Sequence, residues 1–267
     1  MRRHPGNRRV FCLDLAQAAL LGIVQGITEW LPISSSGHLV LLQEMMGVRA
    51  PLSFDLVLHL GTLVAVCAYF RKELVGIARP VLALETKSEG FKTAVLIAIG
   101  TVPAFLAGFL LSDLFEGLFQ SLFAVGIGFL ITASFLALTR IGKGKREVDG
   151  SRALLIGAFQ AAAIAPGVSR SGMTISSALI SGVEKGSAFR FSFLLSIPVI
   201  LGASVFKLLG SPIESFGFEY MVGFSVSALV GFASIGVVKR TVLSDRFYLF
   251  SVYCAVLGVA LLIYALA

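Results

Sequence analysis

Six runs of about twenty mostly apolar residues decide what this chain can fold into. They lie at 53–70, 92–111, 118–139, 188–209, 217–238 and 246–266, each bounded by charges or by Gly, Pro and Ser. A helix of that length crosses the hydrocarbon core of a bilayer. Inside that core each backbone N–H and C=O must be satisfied within the protein, which favours helices. Composition agrees: charged residues are 14% of the chain and hydrophobic residues 57%, against about 25% charged in a soluble domain. The net charge of +7 then reads as basic loops beside a membrane, and nucleic acid is not an expected partner. Cys12, Cys67 and Cys254 are far apart in apolar segments, without metal-ligand spacing, and read as packing residues.

Two further apolar regions are interrupted. Residues 11–31 run into Pro32 and the break Ser34-Ser35-Ser36-Gly37, and the stretch 38–47 after it is too short to span. Residues 153–165 run into Pro166-Gly167 and the break Ser169-Arg170-Ser171-Gly172, followed by the short stretch 173–183. Short apolar halves around a polar break predict re-entrant hairpins, whose irregular backbone protein or a wet cavity must surround. The two regions also match each other. At an offset of 135 residues, the distance from Ser34 to Ser169, Gln25 falls on Gln160, Ser36 on Ser171, Gly37 on Gly172, Phe54 on Phe189 and Asp55 on Arg190. The expected fold is therefore an all-α polytopic membrane protein with six transmembrane helices and two re-entrant helical hairpins. Residues 10–140 form the first repeat (hairpin 11–47) and 141–267 the second (hairpin 153–183), behind a mobile basic tail at 1–9. Three spans per copy is an odd number, so the copies have inverted topology, with a site expected where they meet.

The loops supply an orientation. Arg71, Lys72, Arg79, Lys87 and Lys92 occupy one; Arg140, Lys143, Lys145, Arg146 and Arg152 a second; Lys239, Arg240 and Arg246 a third. Placing these inside puts both termini outside. The arginines of the tail, Arg2, Arg3, Arg8 and Arg9, run against that assignment, and three loops outweigh one tail.

Ionisable groups at membrane depth cost about 2.5–3.5 kcal/mol or more, so they point to function. Gln25 and Glu29 are four apart and share a helix face. An amide oxygen and a carboxylate there suit a hard cation such as Mg²⁺ or Ca²⁺; the plain alternative is a buried Gln–Glu pair. The second break has glycines, the hydroxyls of Ser169, Ser171 and Thr174, a helix start, and Arg170. Together these suit a phosphate. Capping explains the serines but not an arginine at that depth. The first break offers Ser35 and His38, three apart, as nucleophile or ligand and as base or acid. If the breaks meet, Glu29, Ser35 and His38 face Arg170 and Thr174 in a phosphoryl-transfer site. Asp55 and Arg190, equivalent in the two repeats, form an ion pair if both lie near the pseudo-two-fold axis, or are solvated separately. His59, four residues after Asp55, bonds to it or lines the cavity.

The chain resembles the undecaprenyl-diphosphate phosphatases, the bacitracin-resistance protein family, over nearly its whole length. The motifs that carry the resemblance are Gln25-Gly26-Ile27-Thr28-Glu29-Trp30-Leu31-Pro32-Ile33-Ser34-Ser35-Ser36-Gly37-His38, Phe54-Asp55 through His59-Leu60-Gly61-Thr62, and Pro166-Gly167-Val168-Ser169-Arg170-Ser171-Gly172-Met173-Thr174. The resemblance implies Mg²⁺- or Ca²⁺-dependent hydrolysis of undecaprenyl diphosphate to the monophosphate and inorganic phosphate. It implies recycling of the peptidoglycan lipid carrier, bacitracin resistance, and a bacterial inner-membrane protein whose site faces the periplasm. By position it implies Gln25 and Glu29 for the metal, and Glu29, Ser35, His38 and Arg170 for catalysis. From the chemistry of the two breaks, with Arg170 also implied for the diphosphate, the expected substrate-binding residues are Ser34, Ser36, Gly37, Ser169, Arg170, Ser171, Gly172 and Thr174. Gln25 stands where some members carry Glu, which weakens any contribution of charge from that position.

In the expected mechanism the cation and Arg170 neutralise the diphosphate, Ser35 or water attacks the terminal phosphorus, and His38 handles the proton. The Phe-rich spans (22 Phe) hold the prenyl tail among membrane lipids. A homodimer is a further expectation. Type-2 phosphatidic acid phosphatases do not fit. Lys72 and Arg79-Pro80 match their first motif, but Ser36-Gly37-His38 precedes it and no histidine follows Arg170. A transporter or flippase of lipid phosphates is the alternative from another class, since inverted repeats and broken helices occur there too.

Overall fold

The computed structural model describes residues 13–142, 144–210 and 217–266, with the side chains of residues 116, 141 and 208–210 left aside. The basic tail, Cys12 and Lys143 of the sequence reading lie outside the described residues. Every helix and span below is within them. The first half contains α1 (Leu15–Thr28), α2 (Ser35–Met46), α3 (Leu52–Tyr69), α4 (Arg71–Leu82), α5 (Glu89–Leu110), α6 (Ser112–Phe119) and α7 (Leu122–Leu138). The second contains α8 (Gly150–Ala162), α9 (Arg170–Ile180), α10 (Lys185–Gly210), α11 (Phe218–Leu243) and α12 (Phe250–Leu266).

Five helices are long and apolar enough to cross a membrane: α3, α5, α10, α11 and α12; counting the pair α6–α7, bent by 103°, as one span makes six. Their outward faces carry large apolar side chains such as Phe105, Phe109, Val256 and Ile263, which suits contact with lipid tails. Two loops of the sequence reading turn out to hold helices. Residues 71–82 form α4, whose Leu74 and Ile77 pack against the core while Arg71, Lys72 and Arg79 stay exposed. A short amphipathic helix of this kind lies along the interface instead of crossing it. Likewise 112–119 is the short α6. Asp14 and Gln17, polar interruptions in the sequence, are the reciprocal cap of α1: Gln17 N–H donates to Asp14 at 2.7 Å and Asp14 N–H to Gln17 at 3.1 Å.

Equivalent helices of the two halves cross antiparallel. Phe70, just after α3, packs against Phe189 near the start of α10, with ring centroids 5.8 Å apart. At the other end of α3, Asp55 has Lys207 of α10 as an electrostatic neighbour. In α7 and α12, a Cβ on Gly126 would lie 3.2 Å from the Gly258 carbonyl, and one on Gly258 2.9 Å from that of Gly126. The absence of side chains at both positions lets these backbones touch. The hairpins are exchanged across the halves: α1 packs on α11, and α8 on α5.

This antiparallel crossing corrects one expectation. Asp55 and Arg190 stand near the starts of α3 and α10, hence at opposite ends of the crossed pair, and form no ion pair. Asp55 accepts from Gln43 Nε2 at 3.3 and 3.4 Å, and Arg190 has Glu184 beside it. Each is satisfied separately. Basic loops meet at one end of the molecule: Lys185 pairs with Asp245 at 2.6 Å, and Arg140 lies 4.9 Å above the Tyr248 ring. Phe70–Phe189 brings α4 to the same end.

Candidate active site

The first break follows from local chemistry. Pro32 cannot donate a helix hydrogen bond, so α1 stops, and Leu31 and Ile33 close tight turns onto Ile27 and Leu31. Ser34 then takes φ 66° and ψ 100°, a region a non-glycine residue rarely occupies. Its Oγ accepts from Gly37 N–H at 3.3 Å and lies 3.3 Å from Ser36 Oγ, which starts α2. The second break repeats the cap: Ser169 Oγ accepts from Gly172 N–H at 3.1 Å and lies 3.3 Å from Ser171 Oγ. Here Gly167 takes the positive φ, 81°. A Cβ on Gly128 of α7 would lie 2.8 Å from the Gly167 backbone, so α7 runs directly against this turn. Thr132 of α7 closes it, accepting from Ser169 N–H at 2.9 Å.

The two breaks meet. Arg170 Nη2 donates to Glu29 Oε1 at 2.5 Å, a contact between residues 141 apart in sequence. Ser171 Oγ donates to the Leu31 carbonyl at 3.2 Å. The other oxygen of Glu29 accepts from Ser35 Oγ at 2.7 Å and from Gln25 Nε2 at 3.1 Å. His59 Nε2 is 3.7 Å from that same oxygen. The guanidinium carbon of Arg170 sits 5.2 Å from the ring centroid of buried Trp30, which stacks on Phe193 at 5.0 Å.

The polarity of this pair is informative. Glu29 caps the C-terminal end of α1, and Arg170 is the first residue of α9. Helix dipoles favour cations at C-termini and anions at N-termini, so each charge sits at the end that disfavours it. An arrangement serving stability alone would exchange them. An anion arriving at α9 would meet the helix N-terminus and Arg170 together. Among the described residues three buried polar atoms of this site have no partner: the donors Arg170 Nη1 and Trp30 Nε1, and the acceptor Gln25 Oε1. Buried polar atoms in proteins are normally paired, so a phosphate oxygen and a cation or water are the partners this chemistry suits.

Other assigned residues fall into clear roles. Ser34, Gly37, Ser169, Ser171 and Gly172 are buried and build the turns; Ser35 and Ser36 are half-buried. Thr174 differs from expectation. One turn into α9, it faces α10, with its Oγ 2.9 Å from the Arg170 carbonyl and 2.5 Å from Ser192 Oγ, and it is fully buried. It braces the backbone of Arg170 and does not face the meeting point. Ser35 and His38 also do not pair. Ser35 donates to Glu29, whereas His38 lies 2.8 Å from the Ser34 carbonyl and 2.7 Å from the Tyr253 hydroxyl. His59 donates to the main-chain carbonyl of Asp55 at 2.8 Å, not to its carboxylate.

Among the described residues, no three His, Cys, Asp or Glu side chains gather in a metal-binding group. Glu29 and Gln25 offer one carboxylate and one unpartnered amide oxygen. That set fits a hard cation which keeps several waters and takes remaining ligands from substrate phosphates, as Mg²⁺ does. Sequence reasoning missed Tyr253, Thr132 and Ser192, which arrive from α12, α7 and α10 and carry no local pattern. Trp30 was quoted within a motif but given no role.

A family model described as bacitracin resistance protein BacA matches residues 18–260. The undecaprenyl-diphosphatase of Korarchaeum cryptofilum is 42% identical over 259 residues, covering 94% of this chain and 99% of that protein. That of Desulforapulum autotrophicum is 41% identical, covering 92% and 96%. That of Methanosphaera stadtmanae is 36% identical, covering 94% and 98%.

Proposed function

The chain belongs to the bacitracin resistance protein BacA family, and from that membership we infer that it is a membrane undecaprenyl-diphosphatase. It hydrolyses undecaprenyl diphosphate to undecaprenyl phosphate and inorganic phosphate, returning the lipid carrier to peptidoglycan synthesis and conferring bacitracin resistance. The observation that carries this reading is the Glu29–Arg170 contact of 2.5 Å between the two breaks. It joins a carboxylate, a hydroxyl and a forked cation in one buried place.

The roles we propose follow from the hydrogen bonds. Arg170, with Nη1 unpartnered, takes the terminal phosphate at the α9 N-terminus. Ser35 donates to Glu29, so Glu29 is the acceptor for the Ser35 proton, or for that of a water in its place. The new bond forms between Ser35 Oγ, or the water, and the terminal phosphorus as the bridging P–O bond breaks and undecaprenyl phosphate leaves; where Ser35 attacks, a water whose proton His38 takes then cleaves the phosphoserine and releases inorganic phosphate. Ser34, Ser36, Gly37, Ser169, Ser171 and Gly172 hold the turns that aim these groups, with Thr174 bracing Arg170 from behind. Glu29 and Gln25 would hold Mg²⁺ or Ca²⁺, whose charge neutralises phosphate oxygens.

We place the chain in the bacterial inner membrane with its basic end inside. The first hairpin then dips in from the periplasmic side, since α1 starts near Phe54 and Tyr220, away from that end. The prenyl tail lies along the apolar outer faces. A homodimer is the proposed assembly. Phosphate release from undecaprenyl diphosphate by purified protein in detergent, with and without EDTA, tests the reading. Release is expected to stop with EDTA and in Glu29→Ala, His38→Ala and Arg170→Ala; release that survives all three substitutions overturns the assignment. Trapped phosphoserine would select Ser35 over water, and full activity in Ser35→Ala would exclude it.

A further inference from the structure

Both ring nitrogens of His38 have protein partners. Nδ1 lies 2.8 Å from the main-chain carbonyl of Ser34. A carbonyl oxygen only accepts, so Nδ1 carries the hydrogen. The neutral ring then has its lone pair on Nε2, and the group 2.7 Å from it is the Tyr253 hydroxyl, which must donate. The two rings lie parallel, with centroids 5.7 Å apart and planes 9° apart. Phe129 of α7 meets the imidazole edge-on at 5.4 Å. The next residue of α12, Cys254, points its thiol at the Pro32 carbonyl, 3.5 Å away. Two consecutive side chains of α12 therefore hold the first break, one at each end of it. The close Gly126–Gly258 crossing described above brings α7 and α12 together here, and sets Phe129 and Tyr253 as two walls around the imidazole.

We propose that Tyr253 is a positioning residue for the phosphatase reaction. The Ser34 carbonyl sets the Nδ1–H tautomer; Tyr253 holds the plane of the ring, leaves Nε2 as the atom that exchanges a proton with the reacting groups, and holds that lone pair until substrate displaces the hydroxyl. Loss of the orienting partner slows such a base without changing its own chemistry. A tyrosine that served only as an apolar wall would have no need of the hydroxyl, and one anchored at the lipid–water interface would turn it to water. Here the hydroxyl is turned inward to Nε2. The proposal rests on the reading of His38 as the proton-handling group.

Tyr253→Phe keeps the ring and removes only the hydroxyl. In detergent-purified protein with undecaprenyl diphosphate, kcat is expected to fall roughly tenfold with KM within about twofold, the size of a partial loss of acid–base assistance. The chain has three histidines, so ¹⁵N-imidazole spectra are assignable by single substitution. In Tyr253→Phe the His38 ring is expected to keep the Nδ1–H tautomer set by Ser34, while its Nε2 signal shifts on losing the hydroxyl donor. Wild-type kcat in Tyr253→Phe overturns the proposal, as does a lowered kcat with an unchanged His38 Nε2 signal. Full activity in His38→Ala would instead remove the catalytic reading of His38, while the spectra would still report whether Tyr253 bonds Nε2.

Discussion

Arg170 and Glu29 each give up a favourable helix dipole to face one another, and the forked shape of the guanidinium matters as much as its charge. Arg170→Lys keeps the cation but loses the fork. It is expected to lower kcat/KM by about 10²-fold, the scale of losing one aimed donor to a developing negative charge; steady-state phosphate release measures it. Glu29→Gln keeps the shape and removes the charge. In the parent protein Mg²⁺ or Ca²⁺ is expected to raise the melting temperature by binding the folded state, and in Glu29→Gln that rise should vanish, as differential scanning fluorimetry can show. Both residues were legible from sequence because an ionisable side chain in an apolar run has no cheap explanation. Tyr253 was not: a tyrosine in a spanning helix is ordinary, and only tertiary packing shows that its hydroxyl meets His38. For His59 the sequence offers contact with Asp55 or a place in the cavity; its approach to Glu29 at 3.7 Å depends on how α3 packs on α1.

At the scale of elements, glycines set how closely the hairpins dock. A Cβ on Gly26 would lie 2.8 Å from the Gly231 nitrogen and 2.8 Å from Val230 Cβ. Gly26→Ala must therefore push α1 off α11. It is expected to destabilise the fold by about 1–3 kcal/mol and to reduce activity, since Glu29 rides on that helix; a lowered melting temperature in detergent checks it. The start of α10 carries a pH dependence. The main-chain N–H groups of Gly186 and Ser187 hold the Glu184 carboxyl below the ordinary carboxylate range, with Ser187 N–H at 2.8 Å. A folded value below the unfolded one means the stabilisation is present above the unfolded value and is lost as pH falls through the folded one. Glu184→Ala is expected to cost about 1 kcal/mol near neutral pH and to match the parent protein in acid, as melting curves across pH will show. The long apolar helices and the two breaks, between α1 and α2 and between α8 and α9, were readable from length and Ser/Gly/Pro punctuation. The helices α4 and α6 were not, because their apolar and charged residues mix within a few positions and resemble a polar loop until one face is packed.

For the whole molecule, the repeat was visible in matched motifs, but its geometry was only half so. Equivalence of Asp55 and Arg190 suggested contact; antiparallel crossing of α3 and α10 puts equivalent ends apart, so only residues near a crossing can meet across it, as Gly126 and Gly258 do where α7 crosses α12. The clustering of basic loops predicts sidedness. In a chain with its three cysteines replaced, Lys145→Cys is expected to react with a membrane-impermeant maleimide only after cells are opened, and Met45→Cys in intact cells; the reverse pattern would invert the topology. The exchange of hairpins between halves also bears on how the protein is made. α1 leaves the ribosome first, yet the surface it docks on, α11, is among the last to emerge. Glu29 meanwhile waits for an arginine synthesised 141 residues later. Until the second half arrives, the nascent first hairpin must therefore satisfy that carboxyl from within, through Ser35 and Gln25.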